Sequence, residues 1–312
     1  ARARGGALLA WSSAAPDALR AQAAAAGVEV RWLEDGFIRS AGLGAAFRPG
    51  ASFALDSQGP YYDPARESDL ERLLQAGGFA PALLVRAAAL RAAIVERGIT
   101  KYNLGGPPPV IPAGRRRILV PGQVEDDASV RLGGGAIRGN LALLRQVRAA
   151  EPDAFLVYKP HPDIEAGFRR GRIAAAELAG LADQVLHGAP MAAVLAQVDA
   201  VHTMTSLTGF EALLRGLPVT CWGMPFYAGW GLTEDRVPPP RPRRRLTLDE
   251  LVAGALILYP RCVDPVTELP CPPEVLIERM ARPELFPPGR LSGIRAVQGA
   301  LTRGLARLRR LR

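Results

Sequence analysis

Between residues 117 and 222 short apolar runs alternate with helix-patterned stretches. In order these are RILV (117–120), NLALLRQVRAA (140–150), AFLVY (154–158), QVLH (184–187), MAAVLAQV (191–198), AVHT (200–203), LTGFEALLR (207–215) and VTCW (219–222). Strands separated by helical connections of this length can pair side by side only through crossovers, so the stretch is a parallel sheet covered by helices. Ligands of such sheets sit beyond the carboxyl ends of the strands, where the strand order reverses. The polar clusters of this chain fall in those places.

The first third alternates less regularly. ALLAW (7–11) leads through Pro16 and Asp17 into an Ala-rich helix ending near Gly27, followed by strands VEVRWL (28–33) and SFALD (52–56) and helices over 67–76 and 81–97. GGPPPVIPAG (105–114), the densest internal Pro/Gly run, reads as a stiff connection and a domain boundary. The expected division is an N-terminal α/β domain over 1–110, a second over 111–260, and a C-terminal extension over 261–312. Thr247 with Glu250 three residues on has the form of a capping box.

Charge separates the body from its tail. The 312 residues carry a net charge of +9, of which seven arginines without an acid lie in 285–312. That leaves a nearly neutral body, so nucleic acid is not the expected partner. SGIRAVQGALTRGLARLRRLR places Leu301, Leu305, Leu308 and Leu311 on one face among arginines, the pattern of an interfacial amphipathic helix; a helix folded back on the body reads equally well. No apolar run reaches the roughly 20 residues a membrane span needs. Three cysteines at spacings that match no zinc or redox motif fit a reducing cytoplasm. Lys101 and Lys159 are the only lysines beside 37 arginines.

Several clusters carry chemistry. Thr205-Ser206-Leu207-Thr208-Gly209-Phe210-Glu211 opens a helix straight after a strand. Free N–H groups there suit a phosphate, Gly209 would permit close backbone approach, and Glu211 could receive ribose hydroxyls; ordinary N-capping by Ser206 explains the segment equally well. Lys159-Pro160-His161-Pro162 fixes a cation and an imidazole where a strand ends, and a protonated His161 could assist a departing phosphate. His187 and His202 read as core or near-core histidines, and the three histidines form no metal set. Gln123-Val124-Glu125-Asp126-Asp127-Ala128-Ser129 puts three carboxylates after a strand, where crowding would split their pKa values. Glu34-Asp35-Gly36 supplies a facing acidic pair suited to a general base. The aromatic and Gly-dense run 221–231 reads as a wall of the site or as a packed loop.

Taken together, WLEDGFIRSAGLG, GPYYDP, PGQVEDDAS, YKPHPD, TSLTGFEALLRGLPVTCWGMPFYAGWGLT and LILYPRCVDPVT resemble, in character and order over residues 7–268, one catalytic module of the KpsC-type capsule polysaccharide biosynthesis proteins. The resemblance implies two Rossmann-like domains facing a cleft, the glycosyltransferase-B arrangement. It implies a retaining transferase that moves β-Kdo from CMP-β-Kdo to a Kdo-terminated linker on phosphatidylglycerol. Asp127 matches the family's QxxxDxS aspartate and would be the nucleophile, with Asp126 standing where some modules have glycine. Glu34 or Asp35 would activate the acceptor hydroxyl. Lys159, His161, Thr205, Ser206, Gly209 and Glu211 would hold the nucleotide; charge alone, rather than the resemblance, offers Lys159, Arg39 or Arg131 for the Kdo carboxylate. No cofactor or metal is expected. Implied partners are the lipid-linked acceptor, an anionic inner-membrane surface on its cytoplasmic face, and a second module or the capsule assembly and export proteins. Two other readings remain: an inverting, sialyltransferase-like CMP-sugar transferase, and a non-catalytic module that binds lipid-linked glycan.

Overall fold

The computed structural model describes residues 5–15, 18–42, 49–167 and 169–285. The chain builds two sheets. The first begins with β1 (Leu8–Trp11), β2 (Val30–Asp35) and β3 (Ser52–Asp56). The second holds β4 (Arg117–Pro121), β5 (Phe155–Lys159), β6 (Gln184–Val185), β7 (Ala200–Thr203), β8 (Val219–Cys221) and β9 (Glu234–Asp235). Finally β10 (Pro260–Val263) and β11 (Pro270–Cys271) return to the first sheet.

The second sheet has the order β6-β5-β4-β7-β8-β9, and every pair is parallel. Its order reverses between β4 and β7, so the loops that follow these two strands diverge and open a crevice. Within β4 the side chains alternate between two cores. Leu119 packs with Val157 and Val201 on one face, while Ile118 and Val120 pack with Leu143, Leu144 and Leu156 on the other. The first of these cores also contains Phe37, Leu70, Leu90, Leu251 and Ile277, so one continuous apolar body joins both sheets.

The first sheet departs from the expected parallel unit. Only β1 and β2 run parallel; β2–β3, β3–β10 and β10–β11 are antiparallel. Gly36 explains the return, because a Cβ at this position would overlap the Ser52 side chain. Gly36 N–H instead donates to Ser52 O at 2.8 Å, and Ala51 N–H to Arg39 O at 2.8 Å. Residues 260–271, expected at the boundary of a separate extension, complete the first sheet, held by Asp264, which accepts two hydrogen bonds of 3.0 Å from Arg279. The tail over 286–312, with its amphipathic reading, lies outside the described residues, as do Pro16 and Asp17.

Local signals hold elsewhere. Ser68 caps helix Asp69–Ala76, Pro81 opens helix Pro81–Glu96, and Thr247 and Glu250 form the capping box of helix Leu248–Val252. That helix continues as a π-helical turn, Ala253–Leu258, in which Gly254 lets Leu74 approach. The Pro-rich run is pinned: Gln197 donates to Pro109 O and accepts from Ile111 N–H, and Gln184 donates to Val110 O. Among the described residues no helix is long and apolar enough to cross a membrane.

Candidate active site

A cavity of about 520 Å³ lies where the loops after β2, β4, β5 and β7 converge. Glu34, Asp35, Asp127, Lys159, His161, Thr205, Ser206 and Glu211 all line it, as does Arg39. Gly209 and Arg131 do not.

Gln123 holds the switch point together. Its side chain donates to Thr205 Oγ1 at 2.9 Å and accepts from Thr203 Oγ1 and Thr205 N–H, both at 3.1 Å. Its backbone pairs with the side chain of the buried Asn140 in both directions. The loops after β4 and β7 are therefore fixed to each other, and Thr205 Oγ1, occupied as an acceptor, keeps its own hydrogen to offer the cavity.

The three carboxylates after β4 do not crowd one another. Glu125 accepts from the Asn140 N–H and caps helix Asn140–Ala150, Asp126 pairs with Arg169 at 3.1 Å, and only Asp127 faces the cavity. Asp127 caps the short helix Ala128–Gly133, its Oδ2 accepting from Ser129 Oγ at 2.6 Å and from Ser129 N–H at 3.3 Å. No described residue hydrogen-bonds its Oδ1, so one carboxylate oxygen is oriented and the other is available.

The acidic pair, which ends β2 rather than following it, is split in the same way. Asp35 accepts from Arg39 Nε at 2.6 Å, which commits that arginine to an internal pair. Glu34 Oε1 accepts from Tyr62 Oη at 3.1 Å and from Ser13 N–H at 3.0 Å. Burial pushes the Glu34 carboxyl up to about 6, the two hydrogen bonds only partly opposing it.

Of the expected cations Lys159 lines the cavity, Arg39 lines it while paired with Asp35, and Arg131 does not reach it; Lys101 joins them. The turn Thr100–Asn103, with Asn103 at φ 47°, is clamped between the sheets: Lys101 N–H donates to Glu211 Oε1 at 2.7 Å, and Lys101 O accepts from Arg39 and Ser40 N–H. This places the Lys101 side chain in the cavity. Burial works against its charge, but neighbouring Tyr102, Tyr61, Asp35 and Asp127 hold it above the ordinary lysine range. Lys159 is 4% exposed, and burial lowers its pKa against the pull of Glu165 and Glu211. Neither lysine has an ion-pair partner among the described residues. Arg169 also reaches the cavity wall.

His161 is held toward its neutral form. Burial, with Lys101 close by, pushes it down to about 4. Its Nδ1 accepts from Asp163 N–H at 3.1 Å, so the neutral ring carries its hydrogen on Nε2. A ring in this state can donate one hydrogen bond, from Nε2.

Ser206 caps helix Leu207–Leu214 through Thr208 N–H and lines the cavity at the end of that helix. Gly209 serves packing: a Cβ there would overlap the Tyr227 phenol, which donates to Ser206 O. Glu211 is only partly available, since Oε1 is taken by Lys101 N–H and burial raises its pKa. From the aromatic run only Pro225 and Phe226 reach the cavity; Tyr227 and Trp230 are buried in the core. Sequence reasoning gave no site role to Lys101, Tyr62 or Asn140, and to Gln123 only its place at the head of the QxxxDxS motif. The rarity of lysine was the available signal for the first.

Comparison with known proteins gives the arrangement a context. Residues 6–104 and 106–261 match the family described as capsule polysaccharide biosynthesis protein. The capsule polysaccharide modification protein LipA of Neisseria meningitidis serogroup A is 49% identical over 236 residues, 75% of this chain and 34% of LipA. The lipopolysaccharide-processing protein LpsZ of Rhizobium meliloti is 44% identical over 237 residues, 74% of this chain and 54% of LpsZ. The chain thus spans about a third to a half of the curated relatives it matches. Two solved structures from Thermosulfurimonas dismutans KpsC are similar throughout. The β-Kdo 2,7 transferase is 38% identical with a TM-score of 0.73, covering 91% of this chain and 87% of that one. The β-Kdo 2,4 transferase is 34% identical with a TM-score of 0.79, covering 88% and 86%. With the whole second sheet, β1 to β3 and the cavity-lining loops inside the family match, the chain belongs to the capsule polysaccharide biosynthesis family, as a KpsC-type member.

Proposed function

We propose that this protein is a retaining glycosyltransferase of the glycosyltransferase-B arrangement that moves Kdo from CMP-β-Kdo to a Kdo-terminated, lipid-linked acceptor. The observation that carries the reading is Asp127, held by Ser129 through one oxygen with the other open to the cavity. In the first step Asp127 Oδ1 attacks the anomeric carbon of Kdo. The bond from that carbon to the phosphate oxygen breaks, and its electron pair leaves with CMP. In the second step the acceptor oxygen attacks the same carbon and expels the Asp127 carboxylate, while the hydroxyl proton passes to Glu34. Two displacements restore the starting configuration.

The donor carries a carboxylate and a phosphodiester. Lys101 and Lys159, which lack ion-pair partners among the described residues, supply charge for both, and the Ser206 end of helix Leu207–Leu214 and neutral His161 add hydrogen bonds to the phosphate. The scheme needs no metal or cofactor. An inverting route with His161 as acid has less support, because burial and Lys101 both oppose a proton on that ring. In this reading the protein works at an anionic inner-membrane surface, where the lipid acceptor resides.

Intact-protein mass spectrometry after incubation with CMP-Kdo alone tests the scheme. A mass gain of one Kdo residue, mapped to Asp127 and absent from Asp127→Asn, is the expected result. CMP release with no adduct and with inverted product configuration by NMR would favour the inverting route. No CMP release with any Kdo-terminated acceptor would overturn the enzymatic reading.

A further inference from the structure

Trp11, an aromatic side chain in the cavity wall, has no part in the scheme above. Trp11 ends β1 opposite Leu33 of β2, and thus stands one strand over and one residue back from Glu34. It lines the cavity together with Ser13, Tyr62 and Glu34, yet 38% of its surface is exposed. Among the described residues its indole N–H has no hydrogen-bond partner. The turn after it is fixed: Ser12 N–H donates to Leu33 O at 3.0 Å, Ser12 Oγ to the same oxygen at 3.2 Å, and Ser13 N–H to Glu34 Oε1 at 3.0 Å. Trp11 and the Glu34 carboxyl are therefore held in register by backbone bonds.

A tryptophan in this position has an apolar face and a polar edge, both open. The C–H face of a pyranose packs against such a ring, and the indole N–H offers a hydrogen to a sugar oxygen. Leu9, 67% exposed on the same strand, lies outside the cavity wall and needs no such account. Resting on the reading that Glu34 receives the acceptor's proton, we infer that Trp11 is the platform on which the terminal sugar of the acceptor stacks, setting which hydroxyl faces Glu34. The scheme above assigns Lys101, Lys159 and His161 to the donor, so the role inferred for Trp11 is in acceptor recognition.

The test compares wild type, Trp11→Ala and Trp11→Phe with CMP-Kdo and a synthetic Kdo-terminated disaccharide. Loss of one aromatic stack corresponds to about a tenfold change. Trp11→Ala should therefore raise acceptor KM about tenfold with donor KM unmoved, and Trp11→Phe should recover most of the loss. Equilibrium binding of the disaccharide by calorimetry, read without turnover, should weaken by the same factor. Equal acceptor affinity in wild type and Trp11→Ala overturns the platform. So does a parallel rise of donor and acceptor KM in both variants, which marks Trp11 as structural. Absence of CMP release from wild type defeats the transferase reading instead, and the binding measurement then still decides on Trp11.

Discussion

Tyr62 donates its phenolic hydrogen to Glu34 Oε1 at 3.1 Å, and the carboxyl that receives it sits, through burial, at about 6. A base at that value is half deprotonated just below neutrality. Transfer should rise as pH climbs through about 6, where Glu34 loses its proton. The Tyr62 bond stabilises the charged form, so Tyr62→Phe should move this limb to higher pH, and Glu34→Gln should lower turnover about 10² to 10⁴-fold at all pH values. A pH profile of CMP release with acceptor present reads both; an unmoved limb in Tyr62→Phe counts against the assignment.

Gln123 is 5% exposed and satisfies three polar groups of the β7 loop. Gln123→Leu removes these partners while keeping the volume, leaving buried donors and an acceptor unpaired. A stability loss of about 1 to 3 kcal/mol is expected by chemical denaturation. Wild-type stability in this variant would show that water replaces the side chain.

Gly209→Ala separates packing from ligand approach. If the glycine serves the Tyr227 contact, the variant should lose about 1 to 3 kcal/mol of stability, and Tyr227→Phe, which removes the obstructing hydroxyl, should recover part of it in the double variant. A loss of donor affinity with unchanged melting temperature would restore the anion-approach reading.

His202 is 1% exposed, with Nδ1 accepting from Trp222 Nε1 at 3.3 Å and Nε2 unsatisfied. Burial pushes its pKa down to about 4 from the usual histidine value. The folded state thus resists a proton that the unfolded chain accepts near pH 6.5. The stability contribution is fully present above that pH and is lost as pH falls toward 4, by about 3 kcal/mol. The stability difference between wild type and His202→Asn should shrink over this window. A pH-independent difference would show that His202 takes up its proton normally in the fold.

The second sheet was legible because its signals are local. Apolar runs of strand length, each followed by a helical pattern, leave one topology, and RILV through VTCW became β4 to β8. In the first sheet β1, β2 and β3 were legible as strands, but its completion was not, because the last two strands come from far along the chain. Nothing in PRCV announces that β10 will pair with SFALD some two hundred residues earlier. In the site, residue types that carry charge after strands were found, while supporting residues were missed. Gln123 and Asn140 look like ordinary loop and helix residues until their mutual bonds are seen. Lys101 follows no strand, and only the clamp between Glu211 and Arg39 brings it inward. Gly209 shows the reverse error, a glycine read for its freedom when its neighbour Tyr227 fixes its identity.

The late return of β10 also orders events during synthesis. All six strands of the second sheet lie between residues 117 and 235, whereas the first sheet joins Ser52 to Cys262 and closes only with Cys271. A ribosome therefore releases a complete second sheet while β3 still waits for its partner. The second sheet can thus be complete before β10 and β11 emerge to finish the first. Translation that stalls before residue 260 would leave β3 with an unpaired edge, the arrangement most prone to join a neighbouring nascent chain.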